Sequence, residues 1–138
     1  MFLFYFIINY LIKNLLINCS DSEIRLTIEG NNVKKILNND FCNKFKPSEI
    51  IINDKKQSRV NCLPDNLESG INNITLKWNY KVTDCTDMFR ELKYLKSIDF
   101  SDFDASIVTS MKKMFYYCES LESVNFGNIV TSNLINMD

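Results

Sequence analysis

Hydrophobic positions along this chain change period several times. Met1 to Ile17 (MFLFYFIINYLIKNLLI) is almost continuously apolar, broken by Lys13. Glu23 to Gly30 (EIRLTIEG) alternates, with Ile24, Leu26 and Ile28 on one side, the period of a half-buried strand. Val33 to Leu37 predicts a short helix. Ser48 to Asn53 and Lys55 to Val60 predict a hairpin turning at Asn53-Asp54. Ile74, Leu76 and Trp78 then alternate again, and Trp78 is expected to anchor a core there.

Beyond Tyr80 the chain repeats itself. A shift of 26 residues lays Val82-Thr83 on Val108-Thr109, Met88-Phe89 on Met114-Phe115, Leu95 on Leu121, Ser97 on Ser123, Phe100 on Phe126 and Ser106 on Ser132. Those eight identities compare with roughly two expected by chance. Val108, Met111, Met114, Phe115 and Cys118 are spaced like one stripe of a helix, with Thr109 as its N-cap. Leu121, Val124 and Phe126 follow, the last two alternating with Ser123 and Asn125 as in a short strand. The earlier copy gives a helix at Val82, Cys85, Met88 and Phe89, and a strand at Ile98 and Phe100. A helix plus a strand is too small to bury its own apolar side, so neighbouring units are expected to stack. The fold expected is α/β: a solenoid with a parallel strand ladder, a helix in each repeat and a β-rich cap before it.

The run from Val108 to Phe126, VTSMKKMFYYCESLESVNF, resembles the unit of the BspA-like leucine-rich-repeat surface proteins, V-T-x-M-x-x-M-F-x-x-C-x-x-L-x-x-L-x-L. The copy at Val82 departs from it with Cys85 for the first Met and Leu92 for the Cys. The resemblance is strong from Val82 to Asp138, and Glu23 to Tyr80 is similar to the β-rich leader that often precedes such arrays. It implies secreted or surface-exposed proteins acting in adhesion or recognition, with no catalytic residues to carry over. Residues 1–20 then read as a signal peptide, 21–80 as the leader and 81–138 as two repeats and the start of a third.

Cys19 and Ser20 offer a cleavage point for that signal, although Lys13 lies within the apolar run and does not precede it. A membrane anchor or a buried first helix are the alternatives. Cys42 and Cys62 are spaced to close a loop, and free buried thiols at Cys42, Cys62, Cys85 and Cys118 are the other reading. Asn73-Ile74-Thr75 is a glycosylation sequon, usable in a secreted chain.

Composition removes several function classes. Sixteen basic residues against seventeen acidic ones leave a net charge of −1, with no basic face for nucleic acid. The absence of His removes the Ser-His and Cys-His pairs of nucleophilic catalysis, and three Gly residues form no phosphate loop. No enzyme, cofactor or metal centre is therefore expected. Asp99, Asp102 and Asp104 place carboxylates near one another, but that run lacks the glycine and distal glutamate of a calcium loop and reads as a strand-to-turn connection. The function expected is recognition or adhesion, with a protein or glycan bound across Ser97, Asp99, Ser101, Ser123 and Asn125 on the strand face. The alternative is a structural surface coat built by end-to-end stacking of repeats, with self-association through the incomplete third unit.

Overall fold

The computed structural model describes residues 22–30, 32–64 and 67–137. The apolar segment read as a signal peptide, residues 1–20, and its cleavage point lie outside the described residues. Seven elements follow in order: β1 (Ser22–Glu29), α1 (Asn39–Lys44), β2 (Glu49–Ile52), β3 (Lys55–Lys56), β4 (Ile71–Trp78), β5 (Leu95–Asp99) and β6 (Ser123–Asn125). The strands form a single mixed sheet in the order β3-β2-β4-β1-β5-β6. Among the described residues no helix is long and apolar enough to cross a membrane.

Alternation placed β1 and β4 correctly, whereas the second arm of the hairpin, expected over Lys55 to Val60, is only the two-residue β3. Ile24, Leu26 and Ile28 of β1, and Ile74, Leu76 and Trp78 of β4, are all buried on one face of the sheet. The hairpin turns where expected, because Asn53 and Asp54 both take positive φ, as a two-residue connection of right-twisted strands demands. Trp78 is fully buried, its indole N–H donates to the Phe45 carbonyl at 2.9 Å, and its ring meets Phe103 edge-on. Cys42 and Cys62 form a disulfide, while Cys85 and Cys118 are free thiols.

The helix-per-repeat solenoid is overturned: the molecule is a small, mostly β domain with almost no helix. The only helix among the described residues is α1, six residues long. It lies after the Val33–Leu37 stretch predicted to be helical; Val33, Ile36 and Leu37 are instead buried in extended chain and bends. Asn38 starts α1 by accepting from the amides of Asp40 and Phe41.

The repeats contain chains of four-residue turns where helices were expected. Met88 N–H donates to the Cys85 carbonyl and Leu92 to Phe89; one unit later Met114 donates to Met111 and Cys118 to Phe115. The third residue of each turn, Asp87, Glu91, Lys113 and Tyr117, has positive φ, the backbone of a type II-like turn. A left-handed residue in every fourth place is incompatible with a continuous helix. The intervening amides bond sideways: those of Cys85, Asp87, Phe89 and Glu91 donate to the carbonyls of Ser110, Lys112, Met114 and Tyr116. Donors that a helix would direct along its axis thus hold the two copies together. Thr109, expected as a helix cap, bonds the Thr83 carbonyl of the preceding copy through both its amide and its hydroxyl.

The 26-residue spacing therefore survives as a contact rule. β5 and β6 pair in parallel with Ser97 opposite Ser123, Ile98 opposite Val124 and Asp99 opposite Asn125. Phe89 stacks on Phe115 at 6.0 Å between ring centroids, and Phe100 on Phe126 at 5.8 Å. A bridge between Ser110 and Asn136 begins the next step of the same ladder. On its other side β5 pairs antiparallel with β1, which lies between β4 and β5. Leader and repeats thus share one sheet.

Candidate functional site

Each strand that buries apolar residues inward presents the alternate positions on the outer face of the sheet. Pairing registers align those positions into rows. One row runs Asn73, Thr27, Ser97, Ser123 across β4, β1, β5 and β6. The next runs Thr75, Arg25, Asp99, Asn125 across the same strands. Together with Asp54 these side chains line a shallow concavity of ≈ 630 Å³.

The Asn73–Thr27–Ser97–Ser123 row is uncharged, the next row carries Arg25 and Asp99, and the centre is internally bonded. Thr27 and Ser97 share a hydroxyl–hydroxyl hydrogen bond of 2.6 Å. Asp99 Oδ1 accepts from the Ser101 amide at 2.8 Å, from the Ser101 hydroxyl and from Asn125 Nδ2 at 3.1 Å. Asn125 Nδ2 also reaches Ser101 Oγ at 2.9 Å. The Ser101 hydrogen bonds, with Arg25 and Asn125 nearby, hold the Asp99 carboxyl below the usual aspartate range. Ion pairs close the face at both ends. Arg25 bridges Glu23 at 2.6 Å and Asp102 at 2.7 Å, and Lys96 bridges Glu29 at 3.1 Å and Glu122 at 2.8 Å.

All five residues read from the sequence as a strand face lie together here: Ser97, Asp99, Ser123 and Asn125 on the rows, and Ser101 at the end of β5 against Asp99 and Asn125. Asn73, singled out as a glycosylation site, is exposed on the same face. Sequence reasoning missed Arg25, Thr27, Thr75 and Asp54. The signal of Arg25 and Thr27 was present in the polar half of the EIRLTIEG alternation and that of Thr75 in the polar half of β4, but only the insertion of β1 between β4 and β5 brings them to this surface.

The arrangement offers hydrogen-bond donors and acceptors on a nearly flat sheet. The Thr27 and Ser97 hydroxyls bond each other, and the Ser101 hydroxyl donates to the Asp99 carboxylate. The nearby carboxylates diverge: Asp102 pairs with Arg25, and Asp104 with Lys81 at 3.1 Å and the Ser106 amide at 3.0 Å. Among the described residues no group of three or more His, Cys, Asp or Glu side chains is placed to hold a metal ion. Of the free thiols, Cys85 is fully buried and burial pushes its pKa up to about 12, while half-buried Cys118 donates to the Phe89 carbonyl.

Residues 57–138, more than half of the chain, match the family described as "Mycoplasma protein of unknown function, DUF285", and the chain belongs to that family. No curated protein and no solved structure matches it.

Proposed function

We propose, from its membership of the DUF285 family, that the chain is a non-enzymatic recognition or adhesion module of the BspA-like surface type. It is secreted or displayed at the cell surface, and it binds a protein or glycan partner across the outer face of the sheet. The observation that carries this reading is the belt of small polar side chains, Asn73, Thr27, Ser97 and Ser123, in register across four strands. Such a belt costs little side-chain entropy to hold against a partner. It supplies hydrogen bonds where no charge must first be desolvated. The Cys42–Cys62 disulfide supports an oxidising location outside the cytosol.

The position of Asn73 adds a constraint. A glycan on Asn73 would occupy the same face as the partner, so the two compete for space.

The test is expression in a eukaryotic secretory host, with mass spectrometry of the product and binding of purified chain to glycan arrays and cell surfaces. A product trimmed near Cys19 or Ser20 is expected, and binding is expected to strengthen when an Asn73 glycan is removed. Ser123→Arg with Asn73→Arg should reduce binding at least about tenfold. Both residues are exposed, so stability should stay within about 0.5 kcal/mol. An intact intracellular product, or binding indifferent to the double change, sinks the proposal.

A further inference from the structure

β1 and β5 do not stay in register to their ends. Thr27 lies opposite Ser97 but Ile28 lies opposite Leu95, so Lys96 is an extra residue in β5 and the pair bulges there. Lys96 itself turns to Glu29 and Glu122. Past the bulge, the connection from β1 to α1 faces the last turn of the first repeat, where the Leu95 amide donates to the Leu92 carbonyl. The Glu29 amide joins the two walls by donating to the Tyr94 carbonyl at 3.0 Å. Between them lies a hollow of ≈ 240 Å³, lined by residues of the leader and the first repeat alone. It shares no lining residue with the outer-face concavity.

The floor of the hollow is apolar: Ile28, Val33, Leu92 and Leu95 line it, and none is more than 9% exposed. Its rim carries Lys34, Lys35 and Lys93 against a single carboxylate, Glu91. Glu91 pairs with Lys35 at 3.5 Å, and Glu119, outside the hollow, pairs with Lys93 at 3.0 Å. Lys34 is exposed and has no carboxylate partner among the described residues. One ammonium is therefore left over beside an apolar floor, on a chain whose net charge is −1.

We propose that this hollow binds a small aliphatic carboxylate, with its tail on the apolar floor and its charge at Lys34. Size, charge and lining each select that class. Pockets for drug-sized ligands run to about 300–1,000 Å³, so the occupant here is smaller. At the roughly 30 Å³ that one water takes in the liquid, the hollow holds about eight non-hydrogen atoms, the size of hexanoate. A single unpaired ammonium matches a monoanion, whereas a phosphate dianion would have to draw a second lysine away from its carboxylate. The Lys34 stem is long and flexible enough to follow the tail while its charge stays in water. The floor offers a polyol no hydrogen bonds in return for those it would give up to water. Affinity should be on the order of millimolar, as a ligand of this size allows.

Hexanoate titrated into the purified, isotope-labelled chain and followed at the backbone amides by NMR should give saturable shifts at Val33, Lys34, Lys93 and Tyr94. The outer-face residues Thr27, Ser97 and Ser123 should not move. Acetate should bind at least about tenfold more weakly, because each buried methylene is worth about fourfold. Hexylamine, with the same tail and the opposite charge, and inorganic phosphate should also bind at least about tenfold more weakly. Lys34→Gln is a surface change that should leave the fold intact and weaken hexanoate about threefold. Lys113→Gln, at an exposed lysine of the second repeat, should leave binding unchanged. Shifts that never saturate or that centre elsewhere, acetate, hexylamine or phosphate binding as well as hexanoate, or a Lys34→Gln chain that binds like wild type would each overturn the proposal.

Discussion

The two repeat units carry nearly the same pattern, yet they are buried to different degrees. In the first, Cys85, Met88, Phe89, Leu95, Ile98 and Phe100 are all buried. In the second, Met111 and Met114 are buried, but Phe115, Leu121 and Val124 are only half-buried. Phe100 is 1% exposed and its equivalent Phe126 is 45% exposed. The difference comes from neighbours. The first unit has β1 on one side and the second unit on the other, whereas among the described residues most of the second unit has a neighbour on one side alone. A repeat pattern therefore tells which side chains face inward, and the order of strands tells how much water reaches them.

Mutating equivalent residues should measure that difference. Phe100 touches Phe89, Phe103, Phe115 and Phe126, so Phe100→Ala removes the centre of the aromatic cluster. It should cost about 3–5 kcal/mol in chemical denaturation, as deletion of a buried Phe does elsewhere. Phe126→Ala, at the same position one unit later, should cost about 1 kcal/mol. Equal losses would mean that the second unit is as enclosed as the first, and the burial argument would fail.

A second contrast lies at the turn after each strand. Asp99 caps the Ser101 amide in the first unit, and Asn125 caps the Gly127 amide in the second. Serine is accommodated at the first position, but Gly127 has φ +53 and lies directly on its equivalent: a Cβ there would meet the Ser101 Cα at 2.7 Å. Gly127→Ala therefore combines a left-handed backbone with a backbone clash, and should cost about 1–3 kcal/mol. It should also loosen the Asn125 contact with Asp99. Ser101→Gly, by contrast, should lose only the hydroxyl bonds and some unfolded-state restriction, well under that figure. A neutral Gly127→Ala would show that the two units are not stacked this closely.

What could be read in advance divides along physical lines. Period-2 alternation at Ile24, Leu26 and Ile28, and at Ile74, Leu76 and Trp78, has one structural meaning, and those strands were legible. The same holds for the Asn53-Asp54 turn, whose residue types tolerate the left-handed conformation found there. The strand-face residues Ser97, Asp99, Ser123 and Asn125 were legible because a repeat offset fixes their mutual register. Strand order was not legible. Nothing local in EIRLTIEG says that it pairs with β4 and β5 at once, so half of the outer face stayed hidden.

The helix error teaches more, because spacings of three and four do not belong to helices alone. Successive four-residue turns also carry Cys85, Met88, Phe89 and Leu92 to one side. The two readings predict opposite signs for one substitution. Lys113 is exposed with φ +52, while its neighbour Lys112 is absent from the left-handed residues. In a helix, glycine at either site would cost about 1 kcal/mol. In the turn, Lys113→Gly relieves about 1–2 kcal/mol of left-handed strain against a smaller gain in unfolded-state entropy. It should therefore raise stability by about 0.5 kcal/mol, while Lys112→Gly lowers it by a similar amount. Thermal unfolding of the two variants side by side checks this: if both melt earlier than wild type, the turns are not left-handed at Lys113, and the sideways hydrogen bonds between units lose their basis.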